Sequence, residues 1–167
     1  DFYNEYYVPN NMAIVMAGDF DPDYVIKTID KQFGYMKARP VKEYKAAPEA
    51  PFKAPVVKEV FGPDAESIDI AFRLPGALDT KSNLVLGVLS SILQNGKAGL
   101  LDLNINKQQK ALSAGVQVLN LKDYSLMALS GKAKQGQTLD DVKSLLLGQL
   151  DILKKGDFDE TLVKAIV

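Results

Sequence analysis

The stretch NNMAIVMAGDFDPDYVIKTIDKQF, residues 10–33, decides the fold class. Residues 12–17 form a short apolar run with β-branched Ile14 and Val15, bounded by Asn10-Asn11 and Gly18, which predicts a buried strand. Asp21-Pro22 predicts a helix start. The carboxylate accepts from backbone N–H groups that lack a partner in the first turn, and proline fits the first helical position because its missing N–H costs nothing there. Val25, Ile26, Ile29 and Phe33 follow at helical spacing, and Gly34 supplies a stop. A strand fed into a helix is half of an α/β unit and needs further strands.

Upstream, Phe2, Tyr3, Tyr6 and Tyr7 share one helical face, so residues 1–9 are expected to be the end of an incoming helix stopped by Pro9. Such a cluster could stack on bases or sugars, but packing against a neighbouring element is the reading general burial favours. Downstream, residues 34–55 carry Pro40, Pro48, Pro51 and Pro55 between Lys37, Arg39, Lys42, Lys45 and Lys53. Proline at that density predicts an extended surface crossover, with its charges solvated rather than holding an acidic partner.

Residues 56–61 and 66–74 flank Gly62-Pro63-Asp64, a turn signal between two strands. In the second, Ile68, Ile70, Phe72 and Leu74 alternate with Ser67, Asp69, Ala71 and Arg73, so one face is core and the other meets solvent or a cavity. Arg73 stands on that second face and is the one candidate contact for a ligand carboxylate; a merely solvated arginine is the plainer reading. Asp79 or Thr80 caps the next helix, where residues 84–93 are apolar nearly all round, which predicts burial on more than one side. Asn95-Gly96-Lys97-Ala98-Gly99 then predicts a helix–helix corner before a second helix over 100–109. An anion at that helix start is the rival reading, but the spacing fits neither G-x-x-x-x-G-K-[ST] nor G-x-G-x-x-G.

Residues 111–121 and 124–133 read as two strands joined through Lys122-Asp123, with Leu112, Ala114, Val116 and Val118 on one face and Leu119 and Leu121 on the other. Thr138 opens a helix with the stripe Leu139, Val142, Leu146, Leu150 and Leu153, ended by Gly156. Residues 159–167 start a last helix that meets no stop signal, and with no initiator Met the expectation is one α+β domain, 1–167, excised from a longer chain. The fold class predicted is α+β, two-layered, with a mixed, mostly antiparallel sheet of about five strands and helices on one face.

Composition limits the chemistry. The 167 residues suit one core, and 20 Lys+Arg against 21 Asp+Glu leave a net charge of −1, which argues against nucleic acid as a partner. Cysteine and histidine are both absent, which excludes disulfides, thiolate nucleophiles, a Ser-His-Asp triad and His- or Cys-ligated zinc within these residues. No apolar run is long enough for a membrane span. Asp19, Asp21 and Asp23 imitate the start of a calcium loop but lack its turn glycine and closing Glu, so capping is the expected role. The same holds for Asp140-Asp141 and for Asp157, Asp159 and Glu160. No residue is assigned a catalytic, cofactor or metal role.

The segment FYNEYYVPNNMAIVMAGDFDPDYVIKTIDKQFG, residues 2–34, resembles the start of the second domain in the insulinase/pitrilysin/mitochondrial-processing-peptidase family. IDIAFRLPG at 68–76, LQNGKAGLL at 93–101 and GDFDETLVKA at 156–165 follow that family's course. The resemblance implies zinc endopeptidases built from paired α+β domains that enclose unfolded peptides, with zinc held by an H-x-x-E-H motif in the preceding domain. It therefore implies a non-catalytic partner domain, inactive alone, that meets the zinc-binding domain, the second half of the parent (same chain or separate subunit) and the peptide. The alternative is a domain of a catalytically dead homologue serving as structural subunit or peptide scaffold. An unrelated α+β ligand-binding module is a third. The compartment stays open between bacterial cytoplasm and periplasm.

Overall fold

The structure, a computed structural model, describes residues 1–43, 45 and 47–166. Residues 44 and 46 of the expected crossover and residue 167 of the last helix lie outside the described residues. The chain divides into two compact units, Asp1–Phe52 and Lys53–Val167.

In the first unit, helix α1 (Phe2–Tyr6) stacks Phe2 on Tyr6 and Tyr3 on Tyr7, with ring centroids 4.6 and 4.7 Å apart. A 3-10 turn at Pro9–Asn11 follows, and Asn10 ties it to residue 39 through bonds to and from the Arg39 backbone. Helix α2 (Pro22–Phe33) starts as predicted, with the Asp21 carboxylate accepting from Asp23 and Tyr24 backbone N–H groups. The expected buried strand at 12–17 is absent. Those residues are exposed and pair with no strand, because a strand is stable only beside another and none lies next to it in this unit.

The second unit holds the sheet and the core. Strands β1 (Ser67–Pro75), β2 (Ser113–Asn120) and β3 (Tyr124–Lys132) form a wholly antiparallel sheet in the order β1-β3-β2. The fold is α+β as predicted, but the sheet has three strands among the described residues instead of about five, and none is parallel. The second shortfall is at 56–61, where Val56, Val57, Val60 and Phe61 stand exposed with no ladder partner.

Register places Ile68, Gly131 and Ala114 in one row, Ile70, Leu129 and Val116 in the next, then Phe72, Met127 and Val118. This face lies under helices α3 (Thr80–Leu93) and α4 (Leu139–Lys155), with α5 (Glu160–Ile166) packed against α3, and Leu93, Leu101, Ile105, Leu129, Val142 and Leu146 are fully buried in this core. Gly131 lets α4 come close: a Cβ there would stand 2.5 Å from Val142 Cγ1 and 3.2 Å from Leu146 Cδ1. Helix α3 buries Leu86, Ile92 and Leu93 and half-buries Val88, Leu89, Ser90 and Ser91, so its last turns are covered on more than one side as expected, while Leu84 and Val85 nearer its start stay exposed.

The expected helix over 100–109 is also different. After one turn the backbone widens into a π-helix at Asp102–Asn106, with Lys107 N–H donating to the Asp102 carbonyl, five residues back. Side-chain anchors at both ends fix this shape. Asp102 reaches back to the corner before it, and Asn106 both donates to and accepts from the backbone of Ala114 on the outer edge of β2.

Candidate functional site

The face of the sheet away from the helices carries Ser67, Asp69, Ala71 and Arg73 on β1, facing Lys132, Ser130, Ala128 and Leu126 on β3. One end of it is distinct. Arg73, Leu126 and Leu119 form a row across the three strands, and Tyr124 lies opposite Pro75, the next position on that face. The Arg73 guanidinium carbon sits 5.0 Å from the centroid of the Tyr124 ring, a cation–π distance. Arg73, Tyr124 and Leu126 are half-buried and Leu119 is half exposed, so the row offers a cation over an apolar floor. Strand alternation alone places Arg73 on this face, whereas its approach to Tyr124 depends on the β1–β3 register, which leaves no local signal.

The other polar features are structural. The corner at 95–99, with its rival reading as an anion site, is filled by the chain itself. Asp102 Oδ2 accepts from the N–H groups of Asn95 at 3.0 Å and Gly96 at 2.8 Å, and Asn95 Oδ1 accepts from Lys97 and Ala98 N–H. An external phosphate would have to displace a buried carboxylate that cannot leave. Asp102 was not singled out from sequence; its place six residues after a glycine turn is the signal that was available.

In each acidic cluster one carboxylate caps a helix start, Asp21 for α2, Asp141 for α4 and Asp159 for α5. Asp79 accepts from Ser82 N–H, and bonds to the Ser82 backbone and then its hydroxyl hold the carboxyl below its ordinary range. Asp141 and Thr138 exchange bonds in a capping box at the start of α4, and the Thr138 hydroxyl and then its backbone lower the Asp141 pKa. Asp159 accepts from Thr161 N–H with the same effect. Among the described residues no three acidic side chains converge to hold a metal ion.

Among the described residues the α+β fold brings together no three acidic, His or Cys side chains that could hold a metal ion. Over residues 1–167 the sequence matches the family described as the peptidase M16 inactive domain, and the chain belongs to that family. It is 24% identical over 167 residues to the zinc protease PqqE of Helicobacter pylori, a match covering 95% of this chain and 37% of that protein. Its fold is that of a protease from Helicobacter pylori known from a crystal structure, at a TM-score of 0.77 and 22% identity, covering 99% of this chain and 41% of that one. The chain spans well under half the length of these relatives. The resemblance carried by residues 2–34 agrees with the family found. No helix among the described residues is long and apolar enough to cross a membrane.

Proposed function

We propose that this chain is the supporting, non-catalytic domain of a zinc-dependent endopeptidase, and that the open face of its sheet lines the chamber in which the peptide lies. The observation that carries the reading is membership of the M16 inactive-domain family over all 167 residues. The donor set agrees with it. Zinc needs imidazole, thiolate or converging carboxylates; the sequence has no His or Cys, and its described carboxylates do not converge. These residues do not fit a zinc ion, so the metal belongs to the partner domain and no bond-breaking step runs through this chain.

What this chain contributes is position. An extended peptide crossing the Arg73–Leu126–Leu119 row meets apolar surface from the two leucines and positive charge from Arg73, whose plane is steadied by the Tyr124 ring. That pairing suits a peptide with an acidic side chain or terminal carboxylate next to an apolar residue. In the complete peptidase, Arg73→Glu is expected to raise KM for acidic peptides about 2- to 5-fold with kcat unchanged, the range of a partly exposed ion pair. An unchanged KM and cleavage pattern would remove this face from the chamber. A complete protein that binds no zinc and cleaves nothing would instead make the domain part of a scaffold.

A further inference from the structure

The open sheet face carries a second charge that the Arg73 row does not use. Asp69 stands on β1 four residues before Arg73 and on the same face, in one row with Ser130 on β3 and Gly115 on β2. It is exposed, and among the described residues it enters no ion pair. Lys132, opposite Ser67, is the cation closest to it in the register, a diagonal neighbour at about 7–8 Å between backbones. Between Asp69 and Arg73 the face is built of small side chains. Ala71 and Ala128 lead the middle row, and Ser130 and Gly115 stand beside Asp69, while Arg73, Leu126 and Leu119 form the bulky row at one end.

The direction of an occupant follows from these spacings. An extended peptide turns every second side chain toward a surface, one per ~6.8 Å, and β1 and β3 present theirs at that same spacing along the strands. Across the strands the spacing is ~4.8 Å, which an extended peptide does not match. A peptide running along the strands therefore meets the rows in step. One inward side chain lies over Arg73, the next over Ala71 and Ala128, and the third over Asp69, ~14 Å from the first. The small middle row leaves room for a large apolar side chain. Charge complementarity then asks for a carboxylate at the first position and an amine or guanidinium at the third.

We infer that Asp69 is a specificity-determining residue of the open face, and that the peptide it fits carries an acidic and a basic side chain four residues apart, with an apolar one midway. This rests on the function proposed above and names the substrate class for that face. The plainer alternative makes Asp69 a diagonal partner of Lys132 that only steadies the sheet, and it predicts no dependence on the charge of the peptide.

The test is cleavage of quenched fluorescent peptides by the complete protein, with zinc content measured on the same sample. One peptide carries Glu and Lys four residues apart around a central Leu, one carries them two apart, and one carries Glu at both outer positions. The Glu/Lys peptides are made in both chain orders, and the lower KM of each pair is compared. Wild type should show its lowest KM with Glu and Lys four apart. Asp69→Lys should raise that KM about 2- to 5-fold at unchanged kcat and lower KM for the Glu/Glu peptide, with Asp69→Asn between. Equal KM for the two spacings, or a response to both substitutions that is the same for all three peptides, overturns the inference. If Arg73→Glu shifts KM while both Asp69 variants leave it unchanged, the inference fails and the proposed function stands. If the complete protein holds no zinc and cleaves nothing, the proposed function fails, and the Kd of the same peptides then decides the inference by the same comparisons.

Discussion

Replacing Asp102 tests whether the corner at 95–99 is a closed structural device. Its Oδ2 accepts two backbone N–H bonds, from Asn95 at 3.0 Å and Gly96 at 2.8 Å, and the residue is 7% exposed. In Asp102→Asn a neutral amide oxygen can still accept both bonds. Only charge assistance is lost, a cost of about 1 kcal/mol. In Asp102→Ala both bonds go. Asn95 and Gly96 are exposed, so water takes over their N–H groups, and the cost settles at about 2–3 kcal/mol rather than the sum of two charged bonds. Unfolding in urea followed by far-UV circular dichroism should give that order, wild type above Asn above Ala, with m unchanged. At this chain length the Ala variant should melt roughly 5–10 °C lower. Phosphate should stabilise Asp102→Gly, whose two N–H groups face a vacated anion position, and leave wild type unchanged. An Ala variant within about 0.5 kcal/mol of wild type, or equal stabilisation of both proteins by phosphate, would refute the reasoning.

Gly131→Ala puts a methyl against the fully buried side chains of Val142 and Leu146, so α4 must shift; a loss of about 1–3 kcal/mol is expected in the same urea assay, with no change in secondary structure. The caps predict an acid limit. Asp79, Asp141 and Asp159 have folded pKa values below the unfolded-chain value of about 3.9, so their stabilisation is present above that value and disappears as pH falls through the lowered folded values. Asp141→Asn should flatten part of that acid slope in a titration of stability, and an unchanged slope would dissociate the capping box from it. On the proposed function, Arg73→Lys in the complete protein keeps the charge and loses the planar stacking on Tyr124, so its KM for acidic peptides should fall between wild type and Arg73→Glu.

Legibility from sequence follows how local each cause is. Helix starts at Asp21-Pro22, Asp79 and Thr138, and the stop at Gly156, were readable because a cap involves residues within four positions of one another. The β2–β3 hairpin was readable for the same reason, although its connection is residues 121–123 rather than Lys122-Asp123 alone. Residues 12–17 and 56–61 have strand composition and form no strand here, since pairing depends on a neighbour their own sequence does not contain. At 100–109 local propensity gave a helix, while the structure has a π-helix whose two ends, Asp102 and Asn106, are tied to backbone six to eight residues away, beyond the reach of helix-capping signals. The open sheet face was half legible: alternation placed Arg73 on it, while Tyr124, Leu126 and Leu119 came together only through the register.

The central claim is that this chain supports zinc chemistry without performing it. The most direct measurement is the zinc content and peptidase activity of chain 1–167 itself, loaded with zinc and desalted, beside the complete protein treated alike. The account predicts no stoichiometric zinc and no cleavage from the chain, with bound zinc and chelator-sensitive cleavage in the complete protein. Stoichiometric zinc on the chain alone, or chelator-sensitive cleavage by it, would contradict the account.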